Sequence, residues 1–220
     1  MTDVENLQNT YDSIAQEFSH TRFLAWPELS VFIPYLPDMG KILDLGCGNG
    51  RLIKILQTAR KKYDYLGVDF SEKLLAKARQ QFPDHAFQVA DMTKLDWPAE
   101  TFDLVCLVAA FHHLRDRQER QALLNNIYRW LKPGGILFMT NWYLWQPKYR
   151  KYFFQNIKSK KSWNDCFIPY RLPNSQKFYW RYYHHFTSLE LKSLLQKSGF
   201  VLEPRGVYRT KYNINCLVRK

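Results

Sequence analysis

A strand that ends on an acid and then turns over three alternating glycines limits what this chain can become. Residues 41–45 (KILDL) are apolar except for Lys41 and Asp44, and Gly46-Cys47-Gly48-Asn49-Gly50 follows at once. Glycines at such positions let the backbone turn tightly and come close to a ligand. The apolar spacing beyond Arg51 predicts a helix over 51–59. Strand, glycine turn and helix together read as a nucleotide-type binding loop.

The rest of the chain repeats this alternation. Apolar runs predict strands over 65–68, 86–90, 102–109 and 136–140. Helices are expected over 71–81, with Ser71 as N-cap, and over 116–131, stopped by the turn Lys132-Pro133-Gly134-Gly135. Continuously apolar strands separated by helices imply a parallel sheet covered on both faces. Thr187 and Glu190 have capping-box spacing for a helix ending at Gly199, and strands over 200–203 and 212–218 complete the sheet. Before the loop, residues 5–18 carry a helical apolar stripe, and a second helix should follow Pro27 and stop before Pro34 or Pro37. The expected organisation is one domain over 1–220, with a helical cap over 1–40 and an insertion over 141–181.

Acids at the strand ends indicate which ligand the loop holds. Asp69 closes the second strand, 19 residues after Gly50, where a carboxylate can accept both ribose hydroxyls of an adenosine. Asp91 closes the third, placed to accept from an adenine amino group with Met92 beside the ring. Dinucleotide loops favour G-x-G-x-x-G and set a pyrophosphate on the helix N-terminus. Here the spacing is G-x-G-x-G, and Asp44 would repel a pyrophosphate while suiting the cationic amino group of S-adenosylmethionine. The expected cofactor set is Asp44, Gly46, Cys47, Gly48, Asp69, Asp91 and Met92.

Composition narrows the partners. The net charge is +12, yet residues 1–40 hold six acids and one base, Arg22, leaving +17 on the remainder. That asymmetry favours a polyanionic partner over a merely solvated lysine surface. Residues 141–181 carry nine Lys or Arg, one acid and thirteen aromatics, the mixture that holds phosphates and stacks bases. Most of those rings are expected to pack on the sheet, leaving a minority for substrate. No apolar run reaches the ~20 residues of a bilayer span, and no secretory signal is expected at the N-terminus. Four scattered cysteines without a C-x-x-C pair argue against a zinc or disulfide framework and fit the cytoplasm.

Over roughly residues 40–140 the sequence resembles the class I S-adenosylmethionine-dependent methyltransferase superfamily, through the glycine loop, Asp103, Val108, Ala109 and the Leu131–Gly135 turn. The resemblance implies a Rossmann-like, seven-stranded, mostly parallel sheet with helices on both faces and an antiparallel last strand. It also adds Val108 to the expected cofactor set. The spacing of Tyr11, Ile14, Ala15, Phe18, Thr21, Arg22, Trp26 and Pro27 is similar to the N-terminal signature of the tRNA wobble-uridine methyltransferases. That family includes tRNA methyltransferase nine and the methyltransferase domain of AlkB homologue eight. Phe111-His112-His113, Arg181-Tyr182-Tyr183-His184 and Tyr212-Asn213-Ile214-Asn215 extend the likeness over nearly the whole chain.

This resemblance implies methylation of the carboxylate of 5-carboxymethyluridine in a tRNA anticodon. Arg22 would orient that carboxylate, and His112 would line the gap between cofactor and acceptor. Tyr183 and His184 would stack on or hydrogen-bond the uridine, Asn215 would read a polar edge, and Trp26 would pack under the site. Arg22 could instead pair with Glu17 or Asp12; in each adjacent pair, His112-His113 and His184-His185, only one ring is expected to face the pocket, and either could be a packed core histidine. The expected partners are tRNA and, as in related eukaryotic enzymes, a small zinc-binding activator protein. Two other readings stand beside this one: a methyltransferase for a small quinone or carboxylic acid, and a catalytically silent tRNA-binding partner.

Overall fold

The computed structural model describes residues 3–21, 26–155, 162–172 and 178–220. Helix α1 (Asp3–Thr21) precedes a 3-10 segment over Pro27–Tyr35 and then strand β1 (Gly40–Leu45). The alternating body follows as α2 (Arg51–Leu56), β2 (Tyr63–Asp69), α3 (Glu72–Gln81), β3 (Ala86–Val89), β4 (Phe102–Val108), α4 (Arg117–Trp130) and β5 (Leu131–Trp142). A short helix α5 (Pro147–Arg150) and the antiparallel hairpin β6 (Asp165–Arg171) and β7 (Phe178–His184) come next. Helix α6 (Ser188–Lys197), β8 (Val201–Arg209) and β9 (Asn213–Arg219) finish the chain.

Seven strands form one sheet in the order β3-β2-β1-β4-β5-β9-β8. β1 to β5 run parallel, and β9 enters antiparallel between β5 and β8. The expected seven-stranded, mostly parallel Rossmann-like sheet with an antiparallel last strand is therefore observed. Both faces are covered, which is why the central strands β1, β4 and β5 are apolar on both sides through their middles. On one face Leu43, Leu107 and Met139 pack under Leu123, Ile127 and Trp130 of α4 and Leu194 of α6. On the other, Ile42, Cys106 and Phe138 meet Leu29 and Phe32 of the 3-10 segment and Leu52 and Ile53 of α2.

Caps read from the sequence take their places. Ser71 Oγ accepts from Leu74 N at 3.3 Å and Thr187 Oγ1 from Glu190 N at 3.1 Å, while Asp116, expected as the first residue of its helix, instead caps it, Oδ1 accepting from Gln118 N at 2.7 Å. Three more local expectations shift. The segment after Pro27 is 3-10, held by Leu29 N to Trp26 O and Leu36 N to Ile33 O, and it runs through Pro34. The helix after the glycine loop gives way to a 3-10 turn at Gln57–Ala59. The 132–135 turn lies inside β5 as a bulge: Leu131 pairs with Phe102 and Ile136 with Leu104, so four residues face Asp103 alone. Pro133 has no N–H for a ladder bond, which favours a bulge there.

Within the insertion, the hairpin builds a small core of its own from Leu144, Phe153, Cys166, Ile168 and Tyr183. Trp145, Phe154, Trp163, Phe178 and Trp180 remain exposed. Among the described residues, no helix is long and apolar enough to cross a membrane, and no group of side chains has the make-up of a metal site. The four cysteines are free and buried.

Candidate active site

Strand order reverses between β1 and β4, and a crevice opens there at the carboxyl ends of the strands, the usual place for a ligand in such sheets. A cavity of about 610 Å³ fills it, floored by the loop after β1 and flanked by α1 and the hairpin. That volume lies in the range of small-molecule sites.

The glycine loop is shaped by what it must avoid. Gly46 has φ +71°, and a Cβ there would lie 2.5 Å from that of Ala110, so only glycine fits. At Gly48, φ is +56° and a Cβ would meet nothing within 4 Å, because the residue faces the open cavity. Gly48 N in turn donates to Asp69 Oδ2 at 2.9 Å, fixing the second strand's acid to the loop.

The three acids differ in their bonding. Asp44 is 1% exposed; its Oδ2 accepts from Tyr65 Oη at 2.8 Å while Oδ1 has no hydrogen-bond partner. Burial pushes its pKa up to about 7, more than the Tyr65 hydrogen bond and the Arg51 charge pull it down. Asp69 is pushed up to about 6 by the same cause, against hydrogen bonds from the Ser71 and Gly48 amides. Asp91 caps the turn at Met92–Lys94 through Oδ1, which accepts from Thr93 N and Oγ1, and its buried Oδ2 is left without a hydrogen bond. Buried acceptors left unmet are costly, and a bound ligand that donates to them removes the cost. A cationic amino group at Asp44 Oδ1, ribose hydroxyls at Asp69 and an adenine amino group at Asp91 Oδ2 match this donor and acceptor pattern. Met92, Val108 and Cys47 line the same space. The Cys47 thiol is raised well above its usual pKa, by burial first and then by Asp44 and Asp69, so it is a neutral wall.

Beyond the cradle, both His112 and His113 line the cavity, although adjacent residues were expected to divide between pocket and core. Both sit on the 3-10 turn Phe111–His113, their rings edge to face at 4.6 Å and 72°. His113 Nδ1 lies 2.8 Å from Tyr182 O, so it carries the proton, and Nε2 accepts from Tyr11 Oη at 2.8 Å. In His112 the Trp142 amide donates to Nδ1 at 3.2 Å, which places the proton on Nε2, and that buried atom has no partner among the described residues. Burial first, then the charges of His113, Arg181 and His184, holds His112 well below its usual pKa. His113 is lowered to about 3, again mainly by burial. Both rings are neutral.

Tyr183 and Trp26 also reach the cavity. Tyr183 stacks on Trp142 at 5.1 Å and 17°, and the Arg51 guanidinium lies 4.7 Å from the Trp26 ring centre. His184 and Asn215 are not brought there. His184 is 3% exposed, with Nδ1 2.8 Å from Asp165 Oδ1 and Nε2 3.0 Å from Glu190 Oε1, because the end of β7 pairs with the start of β6 beneath α6. Its neighbour His185 accepts from Leu144 N at 3.2 Å. Asn215 is buried mid-sheet, opposite Thr140 on one side and Tyr208 on the other, because β9 is an interior strand. Arg22 lies outside the described residues. Asp12, one partner considered for it, accepts from Ser71 Oγ at 2.5 Å.

Sequence reasoning gave no site role to Tyr11, His113, Phe167, Trp180 or Tyr182, all of which line the cavity. Tyr11 reads as one position of an apolar stripe and as the first residue of the N-terminal signature, with no role at the site attached to it. Its hydroxyl was the available signal, since a buried tyrosine usually finds a polar partner.

Strand order, cradle and donor pattern define the class I S-adenosylmethionine-dependent methyltransferase fold. Residues 42–135 match the family model described as a methyltransferase domain. A SAM-dependent methyltransferase from Methanosarcina mazei superposes with a TM-score of 0.73 at 23% identity, covering 89% of this chain and 98% of that one. A putative methyltransferase from Haloferax volcanii, solved in complex with the Trm112 methyltransferase activator, gives 0.61 at 19% identity over 88% and 77%.

Within that class, curated relatives from two yeasts are named tRNA (carboxymethyluridine(34)-5-O)-methyltransferase, and one from Bos taurus is named probable tRNA methyltransferase 9B. The one from Saccharomyces cerevisiae is 31% identical over 173 residues, covering 78% of this chain and 58% of the relative. The one from Schizosaccharomyces pombe is 28% identical over 226 residues, covering 94% of each. The chain thus spans a little over half of the budding-yeast relative and nearly all of the fission-yeast one.

Proposed function

We propose that this chain transfers a methyl group from S-adenosylmethionine to the carboxylate of 5-carboxymethyluridine at the tRNA wobble position, forming a methyl ester. The observation that carries this reading is the protonation of the two pocket histidines. His112 already bears its proton on Nε2, and His113 has both nitrogens committed to Tyr182 and Tyr11, so neither is arranged to take a proton from an acceptor. Such a pocket suits an acceptor that arrives ionised, and a carboxylate of pKa ~4 is ionised at neutral pH.

The sulfonium supplies an electrophilic methyl: its S–C bond breaks as the carboxylate O–C bond forms, leaving a neutral thioether and no proton to move. The residues of this chain do the placing. Asp44, Asp69 and Asp91 hold the donor along the strand ends. His112 Nε2–H offers the acceptor a hydrogen bond, while Tyr183 and the Tyr182 and Phe167 rings wall the base. Arg22, four residues before Trp26 at the cavity, supplies a cation to the acceptor carboxylate. In-line placement of this kind can lower a barrier by as much as ~7–11 kcal/mol. The exposed rings of the insertion and the basic remainder of the chain meet the anticodon arm, the compartment is the cytoplasm, and an activator like that of the Haloferax neighbour is a partner to include.

The test is labelled cofactor with tRNA bearing 5-carboxymethyluridine, with and without a Trm112-type activator. Label should appear in the nucleoside digest and be released by mild alkali, as an ester is. Folded, cofactor-binding protein that gives no label in either arm overturns the reading, as does turnover that needs no RNA.

A further inference from the structure

Among the described residues two arginines are buried, and they are treated in opposite ways. Arg120, 4% exposed, donates to Glu190 at 3.2 Å and to the carbonyls of Asp116 and Arg115 at 3.2 Å each. Arg181, 3% exposed in the middle of β7, has no ion pair, and its Nε and Nη1 have no hydrogen-bond partner among the described residues. Fully buried arginines are rare unless paired, since an uncompensated charge in the interior costs several kcal/mol. Aromatic rings take the place of a counter-ion. The guanidinium lies 5.2 Å from the ring centre of Tyr170, 5.3 Å from Tyr183, 5.8 Å from Trp142 and 5.9 Å from Tyr11. Ring faces offset only part of the lost hydration.

This cation stands directly behind the acceptor end of the cavity. Three of its four rings, Tyr11, Trp142 and Tyr183, line the cavity, as do His112 and His113, whose titration its charge depresses. The wall therefore presents one donor, His112 Nε2–H, without a partner among the described residues. Behind it stands one positive charge that has no ion pair among them and faces the hydroxyls of Tyr183, Tyr11 and Tyr170, with Tyr11 in hydrogen-bond reach. An anionic group settled there would satisfy both.

We propose that Arg181, with His112 at the wall, forms a carboxylate-binding subsite that selects the ionised acceptor group and fixes its orientation. This rests on the carboxylate acceptor proposed above. The subsite also gives His112 a reason to be neutral: a doubly protonated ring would turn an N–H towards the Trp142 amide and face the Arg181 charge.

The test compares binding, not turnover. Anticodon stem-loops carrying 5-carboxymethyluridine or its neutral amide, 5-carbamoylmethyluridine, are titrated into the protein in the presence of S-adenosylhomocysteine. The wild type should prefer the carboxylate by about 10–100-fold, the range for a hydrogen-bonded charge. Arg181→Gln should lose that preference while keeping its cofactor affinity, and Arg181→Lys should restore part of it. An Arg181→Gln protein that keeps the preference overturns the subsite and leaves the methylation reading standing. A wild type that shows neither preference nor ester formation overturns both. Should Arg181→Gln not fold, the Nε–H resonances of arginine-labelled wild type decide: a slowly exchanging signal should shift with the carboxylate stem-loop and not with the amide. No such shift overturns the proposal.

Discussion

Asp44 shows how one side chain can answer differently to folding and to binding. Its pKa of about 7 in the fold lies above the ~3.9 of an unfolded aspartate, so the folded state holds the extra proton between those values. The resulting stabilisation is complete below ~4 and fades as pH rises through 7. Cofactor binding runs the other way, because the ionised carboxylate is the form that meets a cationic amino group. Calorimetry should show affinity rising with pH by up to about tenfold per unit below 7 and levelling above it, while ligand-free thermal stability declines over the same interval. Asp44→Asn should flatten that profile and weaken cofactor binding by about 10–100-fold. An affinity indifferent to pH would mean that Asp44 does not face the amino group. At this scale the acid was legible in the sequence, since it ends a strand beside glycines. Its raised pKa was not, because burial is a property of the packed fold.

Elements place the acceptor side. Within the β6–β7 hairpin Asp165 accepts from Tyr182 Oη at 2.7 Å and bonds His184 at 2.8 Å, and the Glu190 bridge from His184 to Arg120 of α4 joins the hairpin to the body. Burial raises the Glu190 pKa, but the His184 hydrogen bond and the charges of His184, Arg120 and Arg117 outweigh it, leaving a net depression. Removing one member strands the others in the interior. Asp165→Ala is expected to cost about 3–5 kcal/mol in urea unfolding while leaving cofactor affinity within a few-fold, because the cradle belongs to β1, β2 and β3. Unchanged stability would show the cluster to be incidental. The histidine at 184 had looked like a substrate contact because it sits in a motif with Tyr183. Strand pairing separates the two, sending Tyr183 to the cavity and His184 to the carboxylates.

For the whole molecule, charge is the relevant quantity. With +12 overall and an acidic first 40 residues, attraction to an RNA backbone should be strong and salt-sensitive. Affinity for the anticodon stem-loop is expected to fall at least about 100-fold between about 50 and 200 mM salt, with cofactor affinity changing less than about twofold. Comparable slopes for both would place the RNA off the basic surface. The sequence by itself determined the parallel sheet, the cradle and the methyl donor. These depend on local signals: apolar strands, glycine spacing, caps, and acids at strand ends. The tertiary structure alone decided the acceptor side, because its residues come from α1, the 111–113 turn, the end of β5 and the hairpin, segments far apart in the chain. No spacing rule could show that Tyr11 would hold His113, that the Trp142 amide would set the His112 proton, or that Arg181 would be buried without a counter-ion among the described residues. Those facts follow from long-range packing, which brings distant donors and charges together in a space with little water. The glycine loop that first constrained the chain names the donor, and the contacts around it decide what can be methylated.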